Sequence, residues 1–155
     1  MPGIVEKRLN EMGVEIPEPP IALSHYEPFI LIDNLIFISG QISVHREKIF
    51  YQGKIGQRFK VEDGYKAAKM CAINLIGQVK KACCGDLDRV IRVVKIGGFV
   101  NCTSDFTDHT NVINGASDLI IKTFGNSGKH ARTAVGVPSL PFGVAVEIDG
   151  VFKIS

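Results

Sequence analysis

One arginine and one glutamate stand out in the last third of the chain, where the sequence KHARTAVGVPSLPFGVAVE is otherwise largely apolar. Arg132 and Glu147 each belong to a short run in which apolar side chains alternate with a period of two residues, as in a β-strand. If the two runs form an antiparallel hairpin through residues 138–141, Arg132 lies directly opposite Glu147. A guanidinium and a carboxylate at that spacing can form a salt bridge, or they can line a pocket for a charged ligand.

The residues around the pair keep both interpretations open. Opposite charges on paired strands commonly form ion pairs, so a structural salt bridge is the simpler explanation and the one that spacing alone favours. The small neighbours favour a pocket instead. Ala134, Gly136 and Ala145 leave space above the two charges, whereas a packed face would carry larger side chains.

The composition of the chain is that of a single globular domain. Its 155 residues are 45% hydrophobic, which is enough for one well-packed core and too little for two. A formal net charge of +2 is too balanced to predict nucleic-acid binding, which needs a concentrated basic face. Charged residues among the first eleven exclude a secretory signal and a membrane span, so we expect a cytoplasmic protein.

The four cysteines do not predict a metal site or a redox site. Cys71, Cys83, Cys84 and Cys102 show no CxxC spacing, and no histidine stands at the spacing of a metal ligand. We expect reduced structural thiols, and we do not expect the adjacent pair to form a disulfide.

The N-terminal part of the chain predicts an arm followed by a hairpin. Residues 1–14 fit a short amphipathic helix, and the sequence IPEPPI that follows is too rich in proline for a helix or a central strand. We therefore assign residues 1–22 to an N-terminal arm and residues 23–155 to a single domain. The runs FILI and LIFIS, separated by the turn-forming pair Asp33-Asn34, predict an antiparallel hairpin.

Two amphipathic helices and a long strand form the centre of the predicted domain. Apolar residues recur at steps of three and four in residues 61–82 and 110–124, and a glycine follows each run as a stop signal. Residues 90–100 between them predict an apolar strand, whose parallel partner we expect in the opening hairpin. The pair Asp149-Gly150 predicts a tight turn before a final short edge strand.

This order of elements predicts an α/β fold in which two helices cover one face of a mixed sheet. Each crossover returns on the same side, which leaves the other sheet face without a covering layer. An apolar uncovered face requires burial against another subunit, so we expect a symmetric homo-oligomer.

Three motifs resemble, in order and nearly in spacing, those of the RidA/YjgF family of reactive-intermediate deaminases, also called the L-PSP endoribonuclease family. They are NLIFISGQI at residues 34–42, VINGASD at residues 112–118, and HARTAVGV with the following LP and VEI at residues 130–148. The resemblance extends over residues 26–148. The HAR sequence and the long arm are similar to a bacterial branch of that family.

The resemblance implies a chorismate-mutase-like fold that assembles as a homotrimer with ligand sites between subunits. It implies hydrolysis of enamine and imine intermediates of the 2-aminoacrylate type, including 2-iminobutanoate and 2-iminopropanoate. The products are a 2-oxo acid and ammonia, and neither a metal nor an organic cofactor is implied.

The resemblance also implies roles for particular residues. Arg132 matches the family arginine that binds the substrate carboxylate, and Glu147 matches the carboxylate that positions the attacking water. Tyr26 would reach the ligand or its water. Ser39 and Gly40 would line the pocket.

Two more positions correspond to site residues of the family, but each departs from the family pattern. Asn114 matches a family asparagine after a one-residue shift of the alignment, and it would help to form the site. Ala134 stands where many members have cysteine, so only main-chain groups are available to a ligand there. We leave His109 and His130 out of the site, because hydrogen-bonded or surface histidines are common.

Two other functions remain open from the sequence. A trimer that binds a small carboxylate through Arg132 could act as a regulator without catalysing a reaction. Endoribonuclease activity is less expected, because RNA binding favours a basic track with stacking aromatics and only 8% of the residues are aromatic. The expected partners are a small imino or oxo carboxylate and further copies of the chain, with no membrane and no nucleic acid.

Overall fold

The computed structural model describes residues 2–19 and 24–155, so the expected boundary between residues 22 and 23 lies outside the described residues. The helices are α1 (Ile4–Glu11), α2 (Val61–Ala82) and α3 (His109–Phe124). The strands are β1 (Phe29–Ile32), β2 (Leu35–Ile42), β3 (Val44–His45), β4 (Lys48–Ile49), β5 (Val90–Asn101), β6 (Ala131–Val137) and β7 (Val146–Ile154). The predicted bounds of α2, α3 and β5 are confirmed to within one residue.

Helices α2 and α3 lie side by side on one face of the sheet, as the sequence predicts. Their apolar stripes are buried, with Leu75 of α2 and Ile113 of α3 fully inaccessible to solvent. A Cβ atom at Gly115 would overlap the main-chain carbonyl oxygen of Tyr65. Glycine at this position of α3 therefore lets the two helix backbones approach closely.

The main sheet has the strand order β1-β2-β7-β5-β6, and β3 and β4 form a separate small hairpin. Strands β5 and β6 are parallel, and the other neighbours in the main sheet are antiparallel. The fold is therefore an α/β fold with a mixed sheet covered on one face. The expected parallel pairing of β5 with the opening hairpin is wrong, because β7 lies between β5 and β2.

The predicted hairpin between β6 and β7 is also wrong. Strand β5 lies between them, so that Arg132 pairs with Ile96 and Glu147 pairs with Phe99. Strand β6 ends beside Asn101, the last residue of β5. Strand β7 begins beside Val100, on the opposite edge of β5. The connecting residues 138–145 therefore step over the end of β5 instead of turning tightly.

The predicted turn at Asp149-Gly150 does not form, and β7 continues through it as a central strand. Gly150 pairs with Ile38 on one side and with Ile96 on the other. A Cβ atom at Gly150 would lie 3.3 Å from Cδ2 of Leu75 in α2. Glycine at this position allows α2 to pack closely on the sheet. The sequence pattern alone suggested that it formed a turn.

Helix α1 of the predicted arm is packed on the domain. Its main-chain N–H groups at Ile4 and Val5 each donate to the carboxylate of Asp88 at 3.0 Å, which caps the helix. Glu6 and Lys80 form an ion pair at 2.7 Å that ties α1 to α2. The part of the arm that the structure describes is thus attached to the rest of the fold.

The sheet face opposite the helices carries exposed apolar side chains. Ile30 and Phe37 are paired across β1 and β2 on this face, and Val135 of β6 lies on it as well. Each of the three is at least 40% exposed. Among the described residues, no helix has the length and apolar character needed to cross a membrane.

Candidate functional site

Arg132 and Glu147 lie on opposite faces of the sheet. The guanidinium of Arg132 contacts side chains of α3 on the helix-covered face. Glu147 alternates along β7 with fully buried residues that face the helices, so its side chain is on the uncovered face. The salt bridge that spacing favoured does not form, because β5 separates the two strands.

The guanidinium of Arg132 is anchored along one edge by neutral oxygens. Its Nη1 donates to Oδ1 of Asn114 at 2.8 Å and to Oγ of Ser117 at 3.1 Å. Within residues 2–19 and 24–155, no carboxylate lies at salt-bridge distance from Arg132, and no group accepts a hydrogen bond from its Nη2 or Nε. A half-buried arginine with one uncommitted edge is suited to binding a carboxylate in a bidentate manner.

The structure brings three of the sequence-predicted site residues together on the helix side. Asn114 and Ser117 are one helical turn apart on α3 and face the same strand. Ala134 lies two residues beyond Arg132 on the same face of β6 and is half-buried. Arg132, Asn114 and Ala134 therefore form one cluster, which we call the arginine half-site.

Ser117 and His130 belong to this cluster and were not among the predicted site residues. Ser117 Oγ lies 2.9 Å from Nε2 of His130, and Nδ1 of His130 lies 2.6 Å from the carbonyl oxygen of Gly128. Two sequence signals could have indicated them. Ser117 is three residues after Asn114 in a helix, and His130 is two residues before Arg132 at the start of a strand.

Glu147 lies half-buried on the uncovered face of the sheet. In the described part of the chain, no cation lies within salt-bridge distance of its carboxylate. Burial raises the pKa of its carboxyl group, and the negative charge of Asp149 raises it further. Burial also raises the pKa of Asp149, against the opposing effects of the Gly97 N–H and the Lys95 ammonium. The environment therefore favours the protonated form of Glu147 more than water does.

Gly40 makes room for the Glu147 carboxylate. The pairing of β2 with β7 shifts register between Ile38 and Gln41, and Gly40 lies within this irregularity. A Cβ atom at Gly40 would overlap Oε2 of Glu147. The predicted site residue Gly40 thus lies against Glu147 and apart from Arg132.

Ser39 fixes the segment that carries Tyr26. Its Oγ donates to the carbonyl oxygen of Glu27 at 2.6 Å, and its main-chain N–H donates to that of Pro28 at 3.0 Å. Tyr26 precedes this contact and is 53% exposed. The remaining predicted site residues lie on β2 and β7 or on the segment that Ser39 holds against β2. We call this group the glutamate half-site; it consists of Tyr26, Ser39, Gly40 and Glu147.

The buried thiols are not activated as nucleophiles. Burial raises the pKa of the Cys71 thiol, and it raises the pKa of Cys102 against the opposing effect of the Lys54 ammonium. Cys102 Sγ lies 3.6 Å from His109 Nε2, but a reactive cysteine needs a lowered pKa. In the described ranges, no group of three or more His, Cys, Asp or Glu residues is placed to hold a metal ion.

The fold and the order of the motifs define a class of protein. The chain belongs to the YjgF/chorismate mutase-like family, whose model matches residues 6–149. The resemblance to the RidA/YjgF family seen in the sequence is thereby confirmed.

Two relatives match the chain over nearly its full length. Protein TCP17 of Trypanosoma cruzi is 39% identical to it, over 99% of this chain and 96% of the relative. The crystal structure of protein Atu1372 from Agrobacterium tumefaciens has a TM-score of 0.92 and 42% identity, covering 97% of this chain and 92% of that chain.

A more distant relative has a named activity. The 2-iminobutanoate/2-iminopropanoate deaminase of Rattus norvegicus is 26% identical, over 89% of this chain and 86% of its own length. A deaminase therefore occurs among the relatives of this chain.

Proposed function

We propose that this protein is a cytoplasmic hydrolytic deaminase that converts reactive 2-imino acids, formed from enamines such as 2-aminoacrylate, into 2-oxo acids and ammonia. The observation that carries the proposal is the state of Arg132. It is a half-buried cation, held along one edge by neutral oxygens, with no acidic partner in the described ranges. The name of the rat relative supports the choice of substrate class.

Arg132 binds the carboxylate of the substrate through its uncommitted edge. Two parallel N–H···O bonds fix both the position and the plane of the carboxylate, which a lysine ammonium cannot do. The imine carbon next to the carboxylate is then held in one place relative to the protein. Asn114 keeps the guanidinium in the orientation that this binding requires.

Glu147 acts as the general base. It takes a proton from water as the oxygen attacks the imine carbon, and it gives that proton to the imine nitrogen, which becomes an amine. It then passes the hydroxyl proton of the tetrahedral intermediate to the same nitrogen, so that the C–N bond breaks, the C=O bond forms and ammonia leaves. The balance is one imino acid plus one water giving one 2-oxo acid plus one ammonia. A raised pKa suits this cycle, because the carboxyl group must both accept and release a proton near neutral pH.

The two half-sites require a second copy of the chain. Within one copy, Arg132 and Glu147 are separated by β5 and lie on opposite faces of the sheet. A ligand with only a few heavy atoms cannot reach both side chains across a sheet. We therefore propose a homotrimer, in which the arginine half-site of one copy faces the glutamate half-site of the next, and the exposed apolar sheet faces are buried together.

The test generates 2-aminoacrylate from serine with a serine dehydratase and follows imine decay with and without the protein. Wild-type protein should accelerate the decay, and Arg132→Ala should lower kcat/KM by about 100-fold, with Arg132→Lys a poor substitute. Arg46→Ala removes an exposed arginine in the turn between β3 and β4 and should leave the rate unchanged.

Absence of acceleration by the wild-type protein would sink the deaminase proposal, and so would full activity of Arg132→Ala. Tight binding of 2-oxobutanoate without turnover would instead support the non-catalytic, carboxylate-binding function. The endoribonuclease alternative predicts cleavage of a single-stranded RNA, and neither half-site offers stacking aromatics for RNA apart from Tyr26.

A further inference from the structure

A chain of hydrogen-bonded side chains ends at the Nη1 atom of Arg132. Nη1 lies 3.1 Å from Ser117 Oγ, and Ser117 Oγ lies 2.9 Å from Nε2 of His130. The other ring nitrogen, Nδ1, lies 2.6 Å from the carbonyl oxygen of Gly128. His130 is therefore linked to Arg132 by hydrogen bonds through the Ser117 hydroxyl.

The partners fix the donor and the acceptor in two of these three contacts. A carbonyl oxygen only accepts, so Nδ1 of His130 carries a proton and donates it to Gly128. A guanidinium only donates, so Ser117 Oγ accepts from Arg132. Its own hydrogen can then go to Nε2 of His130, and in that arrangement the imidazole carries its single proton on Nδ1.

We propose that His130 is a positioning residue that, through Ser117, sets the orientation in which Arg132 presents its uncommitted edge to a ligand carboxylate. The identity of the ligand rests on the function proposed above. While His130 accepts the Ser117 hydrogen, the serine oxygen keeps a lone pair directed at Arg132 and becomes a stronger acceptor. Without the imidazole the hydroxyl rotates freely, and Arg132 can swing about its remaining bond to Asn114.

The proposal predicts a particular division between binding and turnover. Arg132 binds the carboxylate in both the ground state and the transition state, so a looser guanidinium weakens binding more than it slows the chemical step. His130→Ala and Ser117→Ala should each raise KM by about tenfold and change kcat by less than about twofold. A purely structural loss of folded protein would lower the apparent kcat and leave KM unchanged.

Two comparisons isolate the hydrogen-bonded chain from the packing of its members. Because His130 acts through Ser117, the double variant should be no worse than Ser117→Ala alone. His130→Gln places an amide oxygen near the position of Nε2 and should recover most of the lost affinity. His45→Ala, an exposed histidine at the end of β3, is the matched control and should leave KM unchanged.

The experiment has two arms, so that the proposal and the function on which it rests can fail separately. The first measures KM for the imine and the Kd of 2-oxobutanoate, a stable oxo acid, for all variants. The second records long-range proton–nitrogen NMR spectra of the four histidines at neutral pH, with His130 assigned from His130→Gln. We expect an Nδ1–H tautomer for His130. We also expect KM and Kd to rise in the alanine variants and to return most of the way to the wild-type values in His130→Gln.

An Nε2–H tautomer overturns the proposal, as does additivity of the two alanine substitutions or an unchanged Kd in both. If the wild-type protein neither hydrolyses the imine nor binds 2-oxobutanoate, the function is wrong. In that case the tautomer and its change on Ser117→Ala still decide whether the hydrogen-bonded chain exists.

Discussion

The two half-sites hold their charged groups by different physical means. The arginine half-site uses hydrogen bonds, with Asn114 and Ser117 fixing one edge of a permanently charged group. The glutamate half-site uses close packing, in which Gly40 leaves just enough room for the carboxylate of Glu147. The cation is fixed in direction, whereas the acid is kept in surroundings that ease its protonation.

Separation by β5 explains how both groups stay available. If the two strands formed the hairpin that the sequence suggests, Arg132 would neutralise Glu147 and lower the pKa of its carboxyl group. Placing them on opposite faces leaves each without an ionic partner in the described part of the chain. The proposed pair of functional residues therefore consists of two charges that the fold keeps apart within one copy of the chain.

The largest expected effect comes from mixing copies that each lack one half-site. Arg132→Ala and Glu147→Gln should each be nearly inactive alone. When they are unfolded and refolded together in equal amounts, about a quarter of the sites in a cyclic trimer should contain both wild-type residues, and activity should return to that level. Steady-state hydrolysis of 2-aminoacrylate measures this directly.

The matched control mixes Arg132→Ala with the double variant Arg132→Ala/Glu147→Gln, which can form no complete site. Activity that fails to return in the first mixture, with mixed trimers verified by mass spectrometry, would show that both half-sites do not serve one reaction. Recovery in the control mixture would show that Arg132 is not required.

The second prediction concerns stability against pH. The pKa of Glu147 is raised in the folded protein, so folding favours its protonated form. Its contribution to stability is complete below the ordinary pKa of glutamate and is lost as pH rises through the folded-state pKa. Glu147→Gln removes this loss, so its Tm should match that of the wild type near pH 4 and exceed it near pH 7.

Thermal unfolding across that pH range checks the prediction, with Glu18→Gln, a substitution of an exposed glutamate, as the control. A Glu147→Gln variant that is less stable than wild type near neutral pH would contradict the burial argument. The same variant should lose about 100-fold in kcat, so stability and activity change in opposite directions.

The smallest expected effect belongs to Ala134. Restoring the cysteine that many family members carry should change kcat/KM by less than about twofold, because the proposed chemistry uses a carboxylate clamp and a base and no thiol. Kinetics of Ala134→Cys measure this, with Ala131→Cys on the same strand as a control. A gain of tenfold or more would show that the thiol takes part in the reaction.

Much of the fold could be predicted from the sequence because helices are local. The apolar steps of α2 and α3 identify both helices, and glycines mark where they end. The family motifs identified Arg132, Glu147 and Asn114 as candidates. These signals depend on neighbouring residues in the chain, which a sequence displays directly.

Strand pairing was not predictable in the same way. Two strands that contain Arg132 and Glu147 could form a hairpin, or they could both pair with a third strand. The alternation of apolar residues fits both arrangements, because it shows which face of the sheet a residue lies on and does not show which strand lies beside it. Asp149-Gly150 shows the same limit, because close packing against Leu75 and a tight turn both call for glycine. His130 was left out of the predicted site because hydrogen-bonded histidines are common, and the sequence does not show that its hydrogen bond joins Ser117, which is distant along the chain.

The contact between Gly40 and Glu147 has a consequence for how such sequences can diverge. A Cβ atom at Gly40 would meet the far end of the Glu147 side chain, which is flexible. A chain with alanine at that position must therefore place the acid in another rotamer or shorten it. The residue at position 40 thus decides which conformations the acid at position 147 can adopt, although more than a hundred positions separate the two.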